Sequence, residues 1–255
     1  MTAIIFDCDG VLADTERHGH LPAFNATFEQ FGLPVRWTER EYGDKLTISG
    51  GKERMASLFD EPAFASVLRG RDRTEALLKW HEAKTRTFRR LVAEGRIPAR
   101  PGIARLIPAA LDAGWIVAVA STSAEASVRA VLESAVGAAT AQRAPVFAGD
   151  VVPAKKPDPA IYRLAVDRLG LDENDTLVVE DSRNGLLAAT GAGLRCLVTV
   201  NGYTRDQDFS EAVLVVSELG DPGRPPIEIL ANRGPARPGD HLTLDDLRAC
   251  LEGPR

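Results

Sequence analysis

Four short apolar runs, each cut off by polar or acidic residues, constrain this chain more than any other feature. They are Ala3-Ile4-Ile5-Phe6, Trp115-Ile116-Val117-Ala118-Val119-Ala120, Thr176-Leu177-Val178-Val179 and Cys196-Leu197-Val198-Thr199-Val200. None alternates polar with apolar residues, so each reads as a strand buried on both faces. Between them, Ile103 to Ala113, Glu125 to Glu133, Pro159 to Leu169 and Gly185 to Gly191 have helical composition and length. That alternation predicts an α/β fold, a parallel sheet covered by helices. Ligands of such sheets sit beyond the carboxyl ends of the strands. The residues that follow the runs, Asp7, Ser121 and Glu180 with Asp181, are therefore the ones to read for chemistry.

A long interval between about Thr15 and Arg100 breaks the alternation. It carries helical patterns around Leu21 to Phe31, Gly51 to Phe59 and Thr74 to Val92, with no strong strand. An α-helical insertion that leaves and rejoins the core at neighbouring points fits this better than a separate N-terminal domain. Arg100-Pro101-Gly102 marks the return. The expected division is a discontinuous core of residues 1–15 and 96–220, a helical cap of 16–95 and a tail of 221–255. The tail is rich in Pro, Gly and Arg, with one amphipathic stretch at Leu242 to Leu251, and is expected to pack on the core.

With 255 residues and 44% hydrophobic content the chain can bury a full core. Its 36 acidic and 31 basic side chains leave a formal charge of -5, so no excess of positive charge is available to follow a nucleic acid backbone. No apolar run approaches the roughly 20 residues needed to cross a bilayer, and Met1 leads directly into a strand rather than a signal peptide. The expectation is a cytoplasmic monomer without membrane or nucleic acid partners. Cys8, Cys196 and Cys250 form no CxxC pair, and reduced, buried thiols are expected.

The first run ends in Asp7-Cys8-Asp9-Gly10-Val11-Leu12. Extended backbone puts residues two apart on one side, so two carboxylates face one pocket while Cys8 points away into the core. Phosphate monoesters resist hydrolysis so strongly that an enzyme gains by dividing the reaction between a carboxylate nucleophile and a separate acid-base group. Asp7 suits the nucleophile and Asp9 the acid-base group, with Gly10 turning the backbone sharply beyond them. A phosphate dianion approaching carboxylates calls for a hard divalent cation with oxygen ligands. Asp7, the Asp9 carbonyl and Asp181 are expected to hold Mg²⁺, helped by Glu180. Ser121, with backbone amides around Thr122, and Lys156 in Ala154-Lys155-Lys156-Pro157 would serve the phosphoryl oxygens; Lys156 would also keep Asp7 ionised.

Taken singly, an Asp-x-Asp turn, a Ser after a strand or a Lys-Pro loop has an ordinary structural explanation. Together they resemble the haloacid dehalogenase superfamily, whose four motifs match Asp7-Cys8-Asp9-Gly10-Val11, Ser121, Lys156-Pro157 and Glu180-Asp181-Ser182. The resemblance implies a Rossmann-like core and Mg²⁺. The second aspartate marks the superfamily's phosphatases and mutases rather than its dehalogenases.

A narrower resemblance is to the CbbY group, carried by Asp14-Thr15-Glu16, Gly19-His20, Ala23-Phe24-Asn25, Ser49-Gly50-Gly51-Lys52-Glu53-Arg54 and Gly202-Tyr203-Thr204. That group is associated with carbon fixation, and the resemblance implies dephosphorylation of sugar bisphosphates such as xylulose-1,5-bisphosphate. On this reading Gly50, Gly51, Lys52 and Arg54 receive a distal phosphate and Glu16 accepts hydrogen bonds from sugar hydroxyls. His81 and Lys84, three apart on a helix, face the cleft. An ordinary helix N-terminus and a solvated helix face are the alternatives, and His20 would serve substrate or merely pack. A sugar phosphate mutase similar to β-phosphoglucomutase shares the same motifs. A non-catalytic phosphosugar sensor would have lost part of the catalytic set, which is intact here.

Overall fold

The computed structural model describes residues 1–64, 67 and 72–252, so the last three residues of the expected tail and six of the expected insertion lie outside the described residues. The chain divides into two compact units, Met1–Asp14 with Pro98–Arg255, and Thr15–Ile97. Residues 221–255 belong to the first unit.

The first unit is built on strands β1 (Ala3–Phe6), β2 (Ile116–Ser121), β3 (Val146–Ala148), β4 (Thr176–Glu180), β5 (Arg195–Thr199), β6 (Leu214–Val216) and β7 (Ile229–Asn232). They form one sheet in the order β3-β2-β1-β4-β5-β6-β7, parallel throughout except for the antiparallel β6–β7 pair. The α/β class read from the sequence is the observed one. β1 and β4 are buried at every position and β2 at all but its first, as their unbroken apolar runs require.

Three strands go beyond the sequence reading. β3 and β6 have three residues each, too short for periodicity to declare them, and β7 is a partly exposed edge strand in the tail.

Register sets the site. Phe6 lies opposite both Val119 and Val179, so β1, β2 and β4 end at almost the same level, and the Asp7 N–H donates to Val179 O at 2.9 Å. The chain crosses from one side of β1 to the other here, which makes the carboxyl end of β1 the switch point of the sheet. Where the chain leaves and rejoins the core, Ala13 and Ala99 are joined by an antiparallel bridge.

The second unit contains α1 (Leu21–Gln30), α2 (Glu39–Lys45), α3 (Gly51–Ala56) and α4 (Arg73–Ala93), with a π-helical turn at Glu16–His20. α1 buries Leu21, Phe24, Thr27 and Phe28, and α4 buries Trp80, Lys84, Phe88 and Leu91, the three-to-four spacing of a helix with one inward face. Sequence periodicity passed over α2, which is started by a capping box instead: Thr38 Oγ1 accepts the Glu41 N–H at 3.2 Å and Glu41 accepts the Thr38 N–H at 2.8 Å. The expected helix from Gly51 to Phe59 ends earlier and continues as a 3₁₀ turn at Ser57–Asp60.

The helices of the first unit are α5 (Ile103–Asp112), α6 (Glu125–Val136), α7 (Ala138–Ala141), α8 (Ala160–Leu169), α9 (Arg183–Gly191) and α10 (Leu244–Ala249). All three cysteines are buried and none is disulfide-bonded. Among the described residues no helix is long and apolar enough to cross a membrane.

Candidate active site

The carboxyl ends of β1, β2 and β4 bring Asp7, Ser121, Glu180 and Asp181 into one buried cluster, which the loop before α8 completes with Lys156. Lys156 Nζ donates to Asp7 Oδ1 at 2.6 Å, to Glu180 Oε1 at 2.6 Å and to Ala120 O at 3.0 Å. An ammonium has three donors, so these contacts fix the direction of all three. The ring of Tyr162, on α8, lies 4.8 Å from the same ammonium, and its hydroxyl donates to Glu180 Oε1 at 2.5 Å.

Asp9 stands two residues after Asp7 and is only partly buried; it accepts a hydrogen bond from the Ser123 hydroxyl. Ser121 Oγ in turn accepts the Ser123 N–H at 3.1 Å. Thr122, between them, is partly buried. Glu180 Oε2 accepts the Asp181 N–H at 3.1 Å, and Asp181 Oδ2 accepts from Asn201 Nδ2 at 2.6 Å.

Two glycines make this concentration of side chains possible. A Cβ on Gly10, whose φ is +78°, would sit 2.1 Å from Asp181 Oδ2, and one on Gly185 would sit 1.9 Å from the Glu180 carboxyl carbon. Any other residue at either position would displace a carboxylate.

Asp7 and Glu180 share the Lys156 ammonium while Asp9 and Asp181 stand close by, and that crowding of carboxyls sets the electrostatics. Burial pushes Asp7 up to about 8; Lys156 pulls against this, and Glu180 and Asp9 add to it. Lys156 is itself raised, because Asp7 and Glu180 outweigh its desolvation, so it stays charged. The excess of negative charge is what a divalent cation would neutralise. Ligand oxygens of Asp7, Glu180 and Asp181 all lie within 4.8 Å of one another. Oxygens on opposite sides of an octahedral Mg²⁺ are about 4.2 Å apart, so the residues present fit such an ion with small adjustments.

The second unit gathers its predicted residues into two groups. In one, Lys84 Nζ lies 2.8 Å from His20 Nδ1 and 4.8 Å from the Phe24 ring centroid, while His20 stacks on Phe88 at 4.2 Å. A Cβ on Gly51 would come within 3.4 Å of His81 Nε2 and 3.7 Å of Lys84 Nζ, so Gly51, His81 and Lys84 are neighbours. Lys84 is buried, which removes the reading of it as part of a solvated helix face.

In the other group, Arg54 is buried, donates to the Tyr42 hydroxyl at 2.7 Å and to Ile48 O, and lies 3.8 Å from Glu16, which accepts from the same hydroxyl. Arg54 thus braces the loop ahead of Gly50 from within. Gly50 has a φ of +94° and caps α3, where Lys52 is half-buried.

Sequence reasoning missed Tyr162, Ser123, Asn201, Arg100, Gly185 and Tyr42. For Asn201 a signal existed: it is the first polar residue beyond the fourth apolar run, and the rule applied to the other three runs would have found it.

A family model described as haloacid dehalogenase-like hydrolase matches residues 1–193. A CBBY-like protein of Arabidopsis thaliana is 46% identical over 223 residues, 87% of this chain and 70% of that protein. Protein CbbY of Cupriavidus necator is 40% identical over 88% of each. Among solved structures, a mutant CbbY from Rhodobacter sphaeroides in complex with xylulose-(1,5)bisphosphate is similar at 40% identity and a TM-score of 0.77, covering 88% of this chain and 97% of that one.

Proposed function

The chain belongs to the haloacid dehalogenase-like hydrolases and, within them, to the CbbY-like proteins, and from that membership we propose that it is a Mg²⁺-dependent phosphatase acting on a pentulose bisphosphate. The observation that carries the reading is the buried Asp7–Lys156–Glu180 arrangement, with Asp9 two residues further along the same loop. Xylulose 1,5-bisphosphate, the compound bound by the Rhodobacter relative, is the substrate of first choice.

Asp7 attacks phosphorus, forming an aspartyl phosphate as the ester bond breaks, and protonated Asp9 gives its proton to the departing alkoxide. Asp9, now a carboxylate, takes a proton from water as that water attacks phosphorus and frees Asp7 and inorganic phosphate. The Ser123 hydroxyl orients Asp9 for both transfers. Lys156 holds Asp7 Oδ1 to one side, and Ser121 with the Thr122 backbone amide serves the phosphoryl oxygens.

Asp7, Asp181 and the Asp9 carbonyl would hold Mg²⁺. Glu180, already engaged with Lys156, Tyr162 and the Asp181 N–H, would support them from behind. When bound, the cation supplies charge that screens the phosphoryl oxygens from the carboxylates. Within the second unit, we assign recognition of a phosphate group to Gly50, Gly51, Lys52, His81 and Lys84. The Glu16–Tyr42–Arg54 network shapes that region, and Glu16 receives sugar hydroxyls.

Phosphate release with Mg²⁺ over a panel of sugar mono- and bisphosphates, including xylulose 1,5-bisphosphate and β-glucose 1-phosphate, tests the proposal. Preference for the pentulose bisphosphate is the expected result. Interconversion of sugar phosphate isomers without net phosphate release would replace it with the mutase reading.

A further inference from the structure

Asp181 is held from a side that the reaction scheme does not use. Asn201 lies just beyond β5, and its Nδ2 donates to Asp181 Oδ2 at 2.6 Å. Its amide cannot be turned over without loss: Oδ1 accepts the Tyr203 N–H at 2.8 Å, and only the nitrogen end of an amide donates. The Asn201 main chain is seated as well, its N–H donating to Thr204 Oγ1 at 3.1 Å and its carbonyl accepting from the Thr204 and Arg205 N–H groups.

One residue earlier, Val200 O accepts from Arg100 Nη2 at 2.8 Å. The same guanidinium donates to Gly10 O at 2.6 Å and to Ser217 O at 2.6 Å. Arg100 therefore ties together the loops that follow β1, β5 and β6. Two of these loops touch Asp181: Asn201 donates to it, and Gly10 is the glycine whose missing Cβ leaves room for both Asp181 and Asn201. Asp181 is also the acidic group that does most to offset the cost of burying the guanidinium.

An Asn at a tight turn ordinarily serves the turn alone. In Asn201 the two ends of the amide divide the work, Oδ1 serving the turn and Nδ2 the carboxylate. Pinning Oδ2 fixes the rotation of the Asp181 carboxylate and hence where its lone pairs point.

We propose that Asn201, seated by Arg100, is a positioning residue that acts through Asp181 to set the affinity of the cation site. The inference rests on the reading of Asp181 as a Mg²⁺ ligand. Partners of this kind, one shell out from the ion, typically govern metal affinity by 10–100-fold.

The test is calorimetric titration of Mg²⁺ into the metal-stripped full-length protein, comparing wild type, Asn201→Ala and Arg100→Lys. Both variants are expected to bind Mg²⁺ about 10–100-fold more weakly, because alanine offers no donor and the single nitrogen of lysine cannot replace the two guanidinium nitrogens that reach Gly10 O on one side and Val200 O and Ser217 O on the other. Thermal unfolding of the stripped proteins accompanies it. A lowered Tm with unchanged Mg²⁺ affinity would make Asn201 a turn residue only and overturn the inference. Should Asn201→Ala fail to fold, Arg100→Lys decides alone. A wild type that takes up no Mg²⁺ would remove the cation reading itself, and this inference with it.

Discussion

The Tyr162 hydroxyl donates to Glu180 Oε1 at 2.5 Å, and this one contact ties the helix that follows the Lys156 loop to the end of β4. Both residues are fully buried, and burial followed by the Glu180 charge raises the phenol well above its ordinary range, so it remains a donor at every working pH. The hydroxyl holds Glu180 while the ring lies against Lys156, so the two halves of the side chain can be tested separately.

Tyr162→Phe keeps the ring and removes the donor from a buried, charged acceptor. It is expected to lower the unfolding free energy by about 1.5–3 kcal/mol, the usual worth of a hydrogen bond to a charged group. Urea denaturation reads this as a lower midpoint at unchanged m value. Tyr162→Leu should cost more, because packing against Lys156 is lost as well; equal losses would mean the ring contributes nothing.

Asp7→Asn should reduce phosphate release by about four orders of magnitude or more, since an amide is a poor nucleophile and the step has no substitute. Circular dichroism of the variant should be unchanged, and the metal-free variant should be at least as stable as wild type near pH 7, because an amide spares the cost of protonating a buried carboxyl. Residual turnover within tenfold of wild type would eliminate Asp7 as the nucleophile.

These residues were the most legible part of the chain, for a physical reason. A strand buried on both faces must be apolar to its end, so the first polar residue beyond it is conspicuous, and Asp7, Ser121, Glu180 and Asp181 all occupy such places. Tyr162 was illegible because an aromatic on a helix reads as core, which it also is. Ser123 and Arg100 act through loops brought together by the sheet order, and order is not written in local periodicity. In the second unit, the sequence reads Arg54 as a phosphate contact, because spacing does not say that Tyr42 and Glu16 lie beside it.

The Asp7 carboxyl, pushed up to about 8 mainly by burial, predicts a proton linkage. Between its ordinary range near 4 and a folded value near 8 the folded metal-free protein holds this proton and the unfolded chain does not. The contribution of Asp7 to stability is therefore present at low pH and is lost as pH rises through 8. Mg²⁺ needs the carboxylate, so its affinity should weaken by up to about tenfold for each pH unit below 8, with close to one proton released on binding at pH 7. Titrations in buffers of different ionisation enthalpy measure that proton, and the difference between wild type and Asp7→Asn isolates the group. Binding without proton release would mean that Lys156 already keeps Asp7 ionised.

Gly185→Ala places a methyl group where the Glu180 carboxylate stands, 1.9 Å from its carboxyl carbon. Since Glu180 is held by Lys156, Tyr162 and the Asp181 N–H, it has nowhere cheap to go, and a loss of about 1–3 kcal/mol with reduced activity is expected. Gly191→Ala is the matched control on the same helix: its Cβ would meet only Pro159 at 3.5 Å, an ordinary contact. That change should be neutral or stabilising by up to about 1 kcal/mol. A thermal shift assay on the pair separates carboxylate crowding from any general intolerance of alanine in α9.

Lys52 and Arg54 are two residues apart and carry the same charge, yet they are expected to fail in different ways. Arg54 is buried under hydrogen bonds to Tyr42 and Ile48, so Arg54→Met should leave Tyr42, Glu16 and the Ile48 carbonyl underused and cost about 1–3 kcal/mol of stability. Lys52 is half-buried on the short helix that Gly50 caps, and Lys52→Ala should leave the melting temperature nearly unchanged. Its effect should fall on substrate choice: kcat/KM for a sugar bisphosphate is expected to drop about tenfold or more relative to the matching monophosphate, the worth of one charge-assisted contact to a phosphate. Equal losses on the two substrates would place Lys52 outside phosphate recognition and shift the assignment of the distal group to His81 and Lys84, which lie against Gly51.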